Sequence, residues 1–399
     1  MKSSTTAQLP GGMQYQLQIY FAGMQNIKPR LPVSFENLEQ KAREVLKPEA
    51  FDYVAGGAGG DGTIINNKEA FNRWQIVPRM MGDVLSRNIS VELFGKRFST
   101  PLLLAPVGVL SIVHPDAELA VARAAKALQV PQIVSTVSSK SLEEIATEHD
   151  GHPHWFQLYW GSDNDFTRSI IGRAEKAGYS AIVVTLDTRL FAWRERDIQN
   201  AYLPFLFNEG LANYFSDPAF LAAVGDPAKD RMKTMMHFAH CFSNPISTWN
   251  DLSVIRNCTK LPIIVKGILH PDDAKKAIDH GADGIVVSNH GGRQMDGGIG
   301  ALDALASIAD AVSNETTILF DSGIRRGADV FKAMALGAKA VLLGRPYVYG
   351  LALQGEQGVK EVVSNLLADI DLTLGLAGCT SWSQVTKDKL HYCKSYFAM

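Results

Sequence analysis

The chain has 399 residues, 46% of them hydrophobic and 20% charged, a globular composition with ample material for a core and none of the bias of a disordered or fibrous chain. Its 39 lysines and arginines against 41 acids leave a formal charge of -2, which excludes a broad polyanion-binding surface, and no nucleic-acid recognition motif is present. Met1 to Gly12 is polar without the apolar run of a secretion signal, and no later stretch is long and apolar enough to span a membrane. The expectation is a soluble, cytoplasmic protein with no membrane or nucleic-acid partner. Cys241, Cys258, Cys379 and Cys393 form no CxxC pair and no zinc-like spacing, so neither a metal site nor a disulfide framework is expected.

In chain order, the mixed polar and aromatic stretch Met13 to Phe21 predicts a short helical arm ended by Pro29 and Pro32. A helix follows from Ser34 to Leu46, with Ser34 as cap and Leu38, Ala42, Val45 and Leu46 on its apolar stripe. After Pro48, Phe51 to Gly60 is glycine-rich and predicts a close turn around Tyr53. Eight short apolar runs then each end in a polar, glycine or proline signal: Leu102–Pro106, Gln132–Thr136, Trp155–Tyr159, Ile182–Asp187, Ile263–Gly267, Gly284–Ser288, Ile318–Gly323 and Val341–Arg345. Between them lie helical patterns at Asp116–Leu128, Leu142–Glu148, Asp165–Ala177, Asp272–His280, Leu302–Val312 and Ala328–Leu336. Parallel strands need such return paths, so the alternation predicts an α/β fold, a (β/α)8 TIM barrel with an N-terminal helical segment. Asp116 and Asp272 are placed to cap helix starts.

The spacing is regular except between Asp187 and Ile263, a long insertion after the fourth barrel strand. Its content of Phe207, Leu211, Tyr214, Phe215, Phe220 and Leu221 argues for a folded excursion, either a lid over the barrel mouth or a surface subdomain that contacts another copy. The whole chain is read as one domain, with an arm and helical cap over 1–98, a barrel core over 99–375 that includes the insertion 195–250, and a tail over 376–399.

Barrels keep their chemistry at the C-terminal ends of the strands. Gly344 and Arg345 after the eighth strand, with Asp321 to Arg325 after the seventh, have the placement of a barrel phosphate site. No Rossmann glycine fingerprint and no P-loop is present, so that phosphate need not belong to NAD or ATP. Ser135, Gln157, Thr185, Lys266 and Ser288 stand at the same mouth and could address the heteroatoms of a flavin ring, although each also suits local strand capping. His290 and Asp187, at different strand ends, make a candidate acid-base pair. Arg194 and Arg293 are candidates for clamping a small carboxylate, with Tyr53 and Tyr159 as hydrogen-bond donors.

Ser288-Asn289-His290-Gly291-Gly292-Arg293-Gln294, Asp321-Ser322-Gly323-Ile324-Arg325, Trp155-Phe156-Gln157-Leu158-Tyr159 and the spacing from Asp187 to Arg194 resemble the FMN-dependent 2-hydroxy-acid oxidase and dehydrogenase family from about Phe35 onward. The resemblance implies FMN as cofactor, a small L-2-hydroxy acid and O2 as reactants, and a homo-oligomer, a homotetramer in the family's pattern. It implies His290 as base with Asp187 as its partner, Arg194, Arg293, Tyr53 and Tyr159 on the substrate, and Val107, Gly108, Ser135, Gln157, Thr185, Lys266 and Ser288 on the flavin. Asp321, Arg325, Gly344 and Arg345 match its ribityl-phosphate end. Ala105-Pro106-Val107-Gly108 departs from the Thr-Ala that glycolate oxidases carry after the proline. Pro204 to Leu206 and Leu211 to Phe220 are most similar to the lactate monooxygenase subgroup, from which Glu195, in place of a proline, and Val113-His114-Pro115-Asp116 depart. That likeness implies conversion of L-lactate to acetate, CO2 and water through retained pyruvate and hydrogen peroxide. The alternatives are an oxidase releasing 2-oxo acid and peroxide, and a non-catalytic flavin-binding barrel.

Overall fold

The computed structural model describes residues 11–393. The polar start over 1–10 and positions 394–399 of the expected tail lie outside the described residues. In chain order the strands are β1 (Trp74–Ile76), β2 (Val91–Leu93), β3 (Lys96–Phe98), β4 (Leu102–Leu104), β5 (Gln132–Ser135), β6 (His154–Tyr159), β7 (Ile182–Thr185), β8 (Ile263–Ile268), β9 (Gly284–Val287), β10 (Thr317–Phe320), β11 (Ala340–Leu343) and β12 (Leu390–Tyr392). Strands β4 to β11 close a parallel barrel in sequence order, sealed by β11 against β4 with Leu343 opposite Leu104. These are the eight apolar runs predicted above, and the fold is the expected (β/α)8 barrel.

Alternation along each strand separates two cores. Leu103, Ile133, Trp155, Val183, Ile264, Val286, Leu319 and Leu342 fill the barrel, and the β2–β3 hairpin adds Leu93 and Phe98 to the same cluster. Phe94 and Phe98 meet Trp155 edge-on, with ring centres 5.7 and 6.3 Å apart. Outward residues such as Leu104, Val134, Phe156 and Val184 pack under the helices. The crossover helices are found within two residues of their predicted bounds, as in Ala117–Leu128 and Asn164–Lys176.

Several expectations are corrected. Tyr53 lies inside the helix Pro48–Ala55, because only from Gly56 onward do glycines break the helical pattern. Asp116 makes no cap bond and pairs instead with Arg123 at 2.8 Å, while His270 Nδ1, not Asp272, caps the helix Pro271–Asp279. The Gly62–Asn72 helix and the antiparallel pairing of β1 with β12 were not anticipated. That pairing returns the described part of the tail to the N-terminal region.

The insertion folds into short helices, including Pro218–Val224 and Arg231–Phe242. Tyr214 is buried and stacks on Phe166, at 4.8 Å, from the helix that follows β6. Asn213 donates to Thr136 O at 3.0 Å, fastening the insertion to the loop after β5. The insertion therefore sits at the C-terminal mouth.

Candidate active site

Beyond Val287 the chain leaves β9 in a loop held from several sides. Ser322 Oγ accepts the N–H of Asn289 and of Gly291, and Asn289 exchanges side-chain bonds with Asn67 at 2.9 and 2.7 Å. These contacts sustain a left-handed backbone at His290, φ 60°, a strained conformation for a residue with a side chain. His290 Nδ1 lies 2.8 Å from Asp187 Oδ1 across the mouth. The approach depends on Gly267, where φ is 108° and a Cβ would stand 2.8 Å from that of Asp187.

Burial acts to raise the Asp187 carboxyl, yet His290 and Lys266 together carry it below the ordinary value. Burial outweighs Asp187 at His290 and lowers the imidazole from its usual range. The pair at neutral pH is therefore a carboxylate and a neutral imidazole whose Nδ1 donates, leaving Nε2 as a proton acceptor. Among the described residues, buried Asp187 Oδ2 has no hydrogen-bond partner. Tyr159 lies beside the imidazole, ring centres 6.5 Å apart, and burial pushes its phenol up, so its hydroxyl stays protonated.

Arg293 donates to the carbonyls of Tyr53 and Gly56, the latter at 2.8 Å, and its guanidinium stands 5.1 Å from the Tyr53 ring centre. Arg194 stands 5.9 Å from the same centre and donates to Arg293 O. Among the described residues no carboxylate is within ion-pair distance of Arg293, and Arg194 has only Asp197 at 3.7 Å. Burial and the neighbouring Arg194 lower Arg293 to about 9. Two desolvated cations side by side make a site for an anion.

The same holds deeper in. Burial lowers Arg325 to about 10, with its guanidinium 3.9 Å over the Phe35 ring, and also depresses Arg345, whose donors go to the carbonyls of Val54, Gly56 and Gly291. Lys266 Nζ bonds Ser288 Oγ at 2.9 Å and lies 3.3 Å from Asp321 Oδ2. Gln157 donates to Thr185 Oγ1 and accepts from Ser135 Oγ, both at 2.9 Å.

One cleft of about 1310 Å³, its open mouth included, brings together Tyr53, Val107, Gly108, Gln157, Tyr159, Thr185, Arg194, Lys266, His290, Arg293, Asp321, Arg325, Gly344 and Arg345. Asp187, Ser135 and Ser288 do not line it. They hydrogen-bond His290, Gln157 and Lys266 respectively and orient those side chains. Sequence reasoning missed Thr188, Phe191, Leu203, Phe205 and Phe242, which line the outer part. The aromatic content of the insertion was the available signal.

The FMN-dependent dehydrogenase family matches residues 42–392. The L-lactate oxidase of Lysinibacillus sphaericus is 45% identical over 351 residues, 88% of this chain and 90% of that protein. An FMN-dependent alpha-hydroxy acid dehydrogenase of Penicillium citrinum is 43% identical over 379 residues, 94% of each chain. The crystal structure of a mandelate oxidase superposes with a TM-score of 0.80 at 41% identity, covering 91% of this chain and 98% of the other.

The cleft suits FMN on its own terms. It is lined both by arginines suited to an anion and by Gln157, Tyr159 and His290, so a single cleft offers positions for a cofactor and for a small acid. Arg325 and Arg345 supply uncompensated charge for a phosphate, and Lys266, Gln157 and Thr185 supply polar groups for a ring with nitrogen and oxygen edges. With this geometry and these relatives, the chain belongs to the FMN-dependent dehydrogenase family, as an FMN-dependent 2-hydroxy-acid oxidoreductase.

Proposed function

We propose that the chain oxidises L-lactate with O2 and, by retaining pyruvate in the cleft, releases acetate, CO2 and water. Arg293 and Arg194 hold the substrate carboxylate, with Tyr159 and Tyr53 donating to its oxygens. His290 Nε2 receives the proton lost by the substrate, and Asp187 stabilises the imidazolium that forms. Arg325, Arg345 and the backbone at Gly344 hold the phosphate of FMN. Asp321, 3.3 Å from Lys266 Nζ, would hold its hydroxyl-bearing ribityl chain. Val107, Gly108, Gln157, Thr185 and Lys266 hold the ring, with Ser135 and Ser288 setting the last groups in place. When bound, FMN would supply a two-electron acceptor that O2 can reoxidise, with hydrogen peroxide as the reduced product.

Pyruvate and hydrogen peroxide together hold the atoms of acetate, CO2 and water, so the second step needs no further reactant. It needs the two kept in one place. The observation that carries this reading is an aromatic wall: Leu203, Phe205 and Phe242 from the insertion, with Phe191, line the cleft together with Tyr159 and His290, Phe242 lying 4.6 Å from Tyr159, and such a wall would slow product escape. A peroxide-releasing oxidase is the second reading, favoured by Phe191 being 51% exposed at that wall and by the relatives named oxidases. A product balance with purified enzyme, L-lactate and O2 tests the proposal. Acetate matching lactate consumed is expected, whereas near-equal pyruvate and peroxide with little acetate would replace it with the oxidase reading.

A further inference from the structure

Cys241 lies one helical turn beyond His237 on the helix Arg231–Phe242, so the two side chains share a face. Facing them is Asp163, the cap of the helix Asn164–Lys176. Its Oδ1 accepts the N–H of Asp165 and Phe166 at 2.9 and 2.8 Å, and its Oδ2 lies 3.5 Å from His237 Nε2. Cys241 Sγ is 3.5 Å from the same nitrogen, and the three atoms lie within 4.8 Å of one another. We propose that Asp163, His237 and Cys241 bind one Zn2+ per chain, with water as the fourth ligand.

Zinc bonds of about 2.0–2.3 Å at tetrahedral angles put neighbouring ligand atoms roughly 3.3–3.6 Å apart. The two distances measured at His237 already have that spacing. A thiolate, an imidazole and a carboxylate form a set suited to zinc, unlike the all-oxygen sets of magnesium or calcium. The side chains of His237 and Asp163 are 18% and 21% exposed, so water can reach the fourth position. The cluster escaped the sequence because Asp163 belongs to the loop after β6, remote in the chain from the other two.

The position gives the ion a structural task. Ser162 N–H donates to His240 O at 2.8 Å, and a Cβ at Gly161 would stand 2.1 Å from Cys241 O, so insertion and barrel backbones are pressed together here. Cys241 precedes Phe242, whose ring lies 4.6 Å from that of Tyr159 in the cleft wall. Zinc would latch the insertion to the barrel beside the active site without joining the reaction, and the inference does not depend on which product leaves.

Zinc takes cysteine as the thiolate, so binding releases the thiol proton and affinity should rise with pH near neutrality. FMN-loaded enzyme, stripped with chelator, is titrated with Zn2+ by calorimetry and with Co2+ by absorption. One Zn2+ per chain is expected, with a tetrahedral cobalt spectrum carrying a sulfur-to-cobalt charge-transfer band. Affinity should fall at least about tenfold in His237→Gln and Cys241→Ser, as losing a ligand costs no less than losing a group that supports one. FMN retention checks that each variant folds, and if one loses FMN the wild-type cobalt band decides alone. No stoichiometric binding by the wild type, a cobalt spectrum without the thiolate band, or unchanged affinity in folded His237→Gln would overturn the site.

Discussion

Arg293 is anchored by carbonyls of Tyr53 and Gly56 and not by an acid, which leaves its charge free for a ligand. A lysine there could keep the charge but not the planar fork. Arg293→Lys should cost about 2–4 kcal/mol in kcat/KM for L-lactate, the penalty of breaking a desolvated charge pair. Steady-state kinetics with unchanged kcat/KM would assign the residue a purely structural role. His290 gives a second prediction at this scale. As the proposed base it must be neutral to accept a proton, and burial lowers its pKa. The acid limb of flavin reduction against pH should therefore lie below the ordinary histidine value of about 6.5. A limb at or above that value would contradict the neutral-base assignment.

At the scale of elements, the barrel strands were legible because buried parallel strands are short apolar runs with sharp punctuation, as at Gly284–Ser288. The helix around Tyr53 was not, because Gly56 to Gly60 masked the four apolar positions Ala50, Phe51, Val54 and Ala55 that bury it. Asp187, Ser135 and Ser288 could be placed at the mouth from sequence, but their position behind the lining side chains depends on rotamers and register that spacing does not encode. The helix Leu142–His149 and strand β6 share a further feature. His149 and His154 stack 4.4 Å apart, and burial drives His149 to about 2, so the folded protein keeps it neutral. Below the unfolded value of about 6.5 the unfolded chain binds a proton that the native state refuses, so stability falls with pH across that window, down to the folded value. Each pH unit costs about 1.4 kcal/mol, or about 2 kcal/mol between pH 6.5 and 5. Denaturant unfolding at several pH values should show this loss and a shallower slope in His149→Gln. An identical slope in the variant would remove His149 from the account.

At the scale of the whole molecule, closure of β11 on β4 gives one mouth to residues as far apart in the chain as Tyr53 and Arg345. The barrel thereby gathers two pairs of arginines, Arg194 with Arg293 and Arg325 with Arg345, around a half-buried His290–Asp187 pair. In the proposed reaction this arrangement moves two electrons from a 2-hydroxy acid to FMN with His290 as base. It is tested most directly by mixing FMN-loaded enzyme with L-lactate without oxygen and following the loss of oxidised-flavin absorbance, in the wild type and in His290→Gln. The wild type should bleach fully, and the variant should keep its FMN but bleach about 100 to 10,000 times more slowly, the usual worth of a positioned base. Bleaching of FMN-loaded His290→Gln at the wild-type rate would contradict the account.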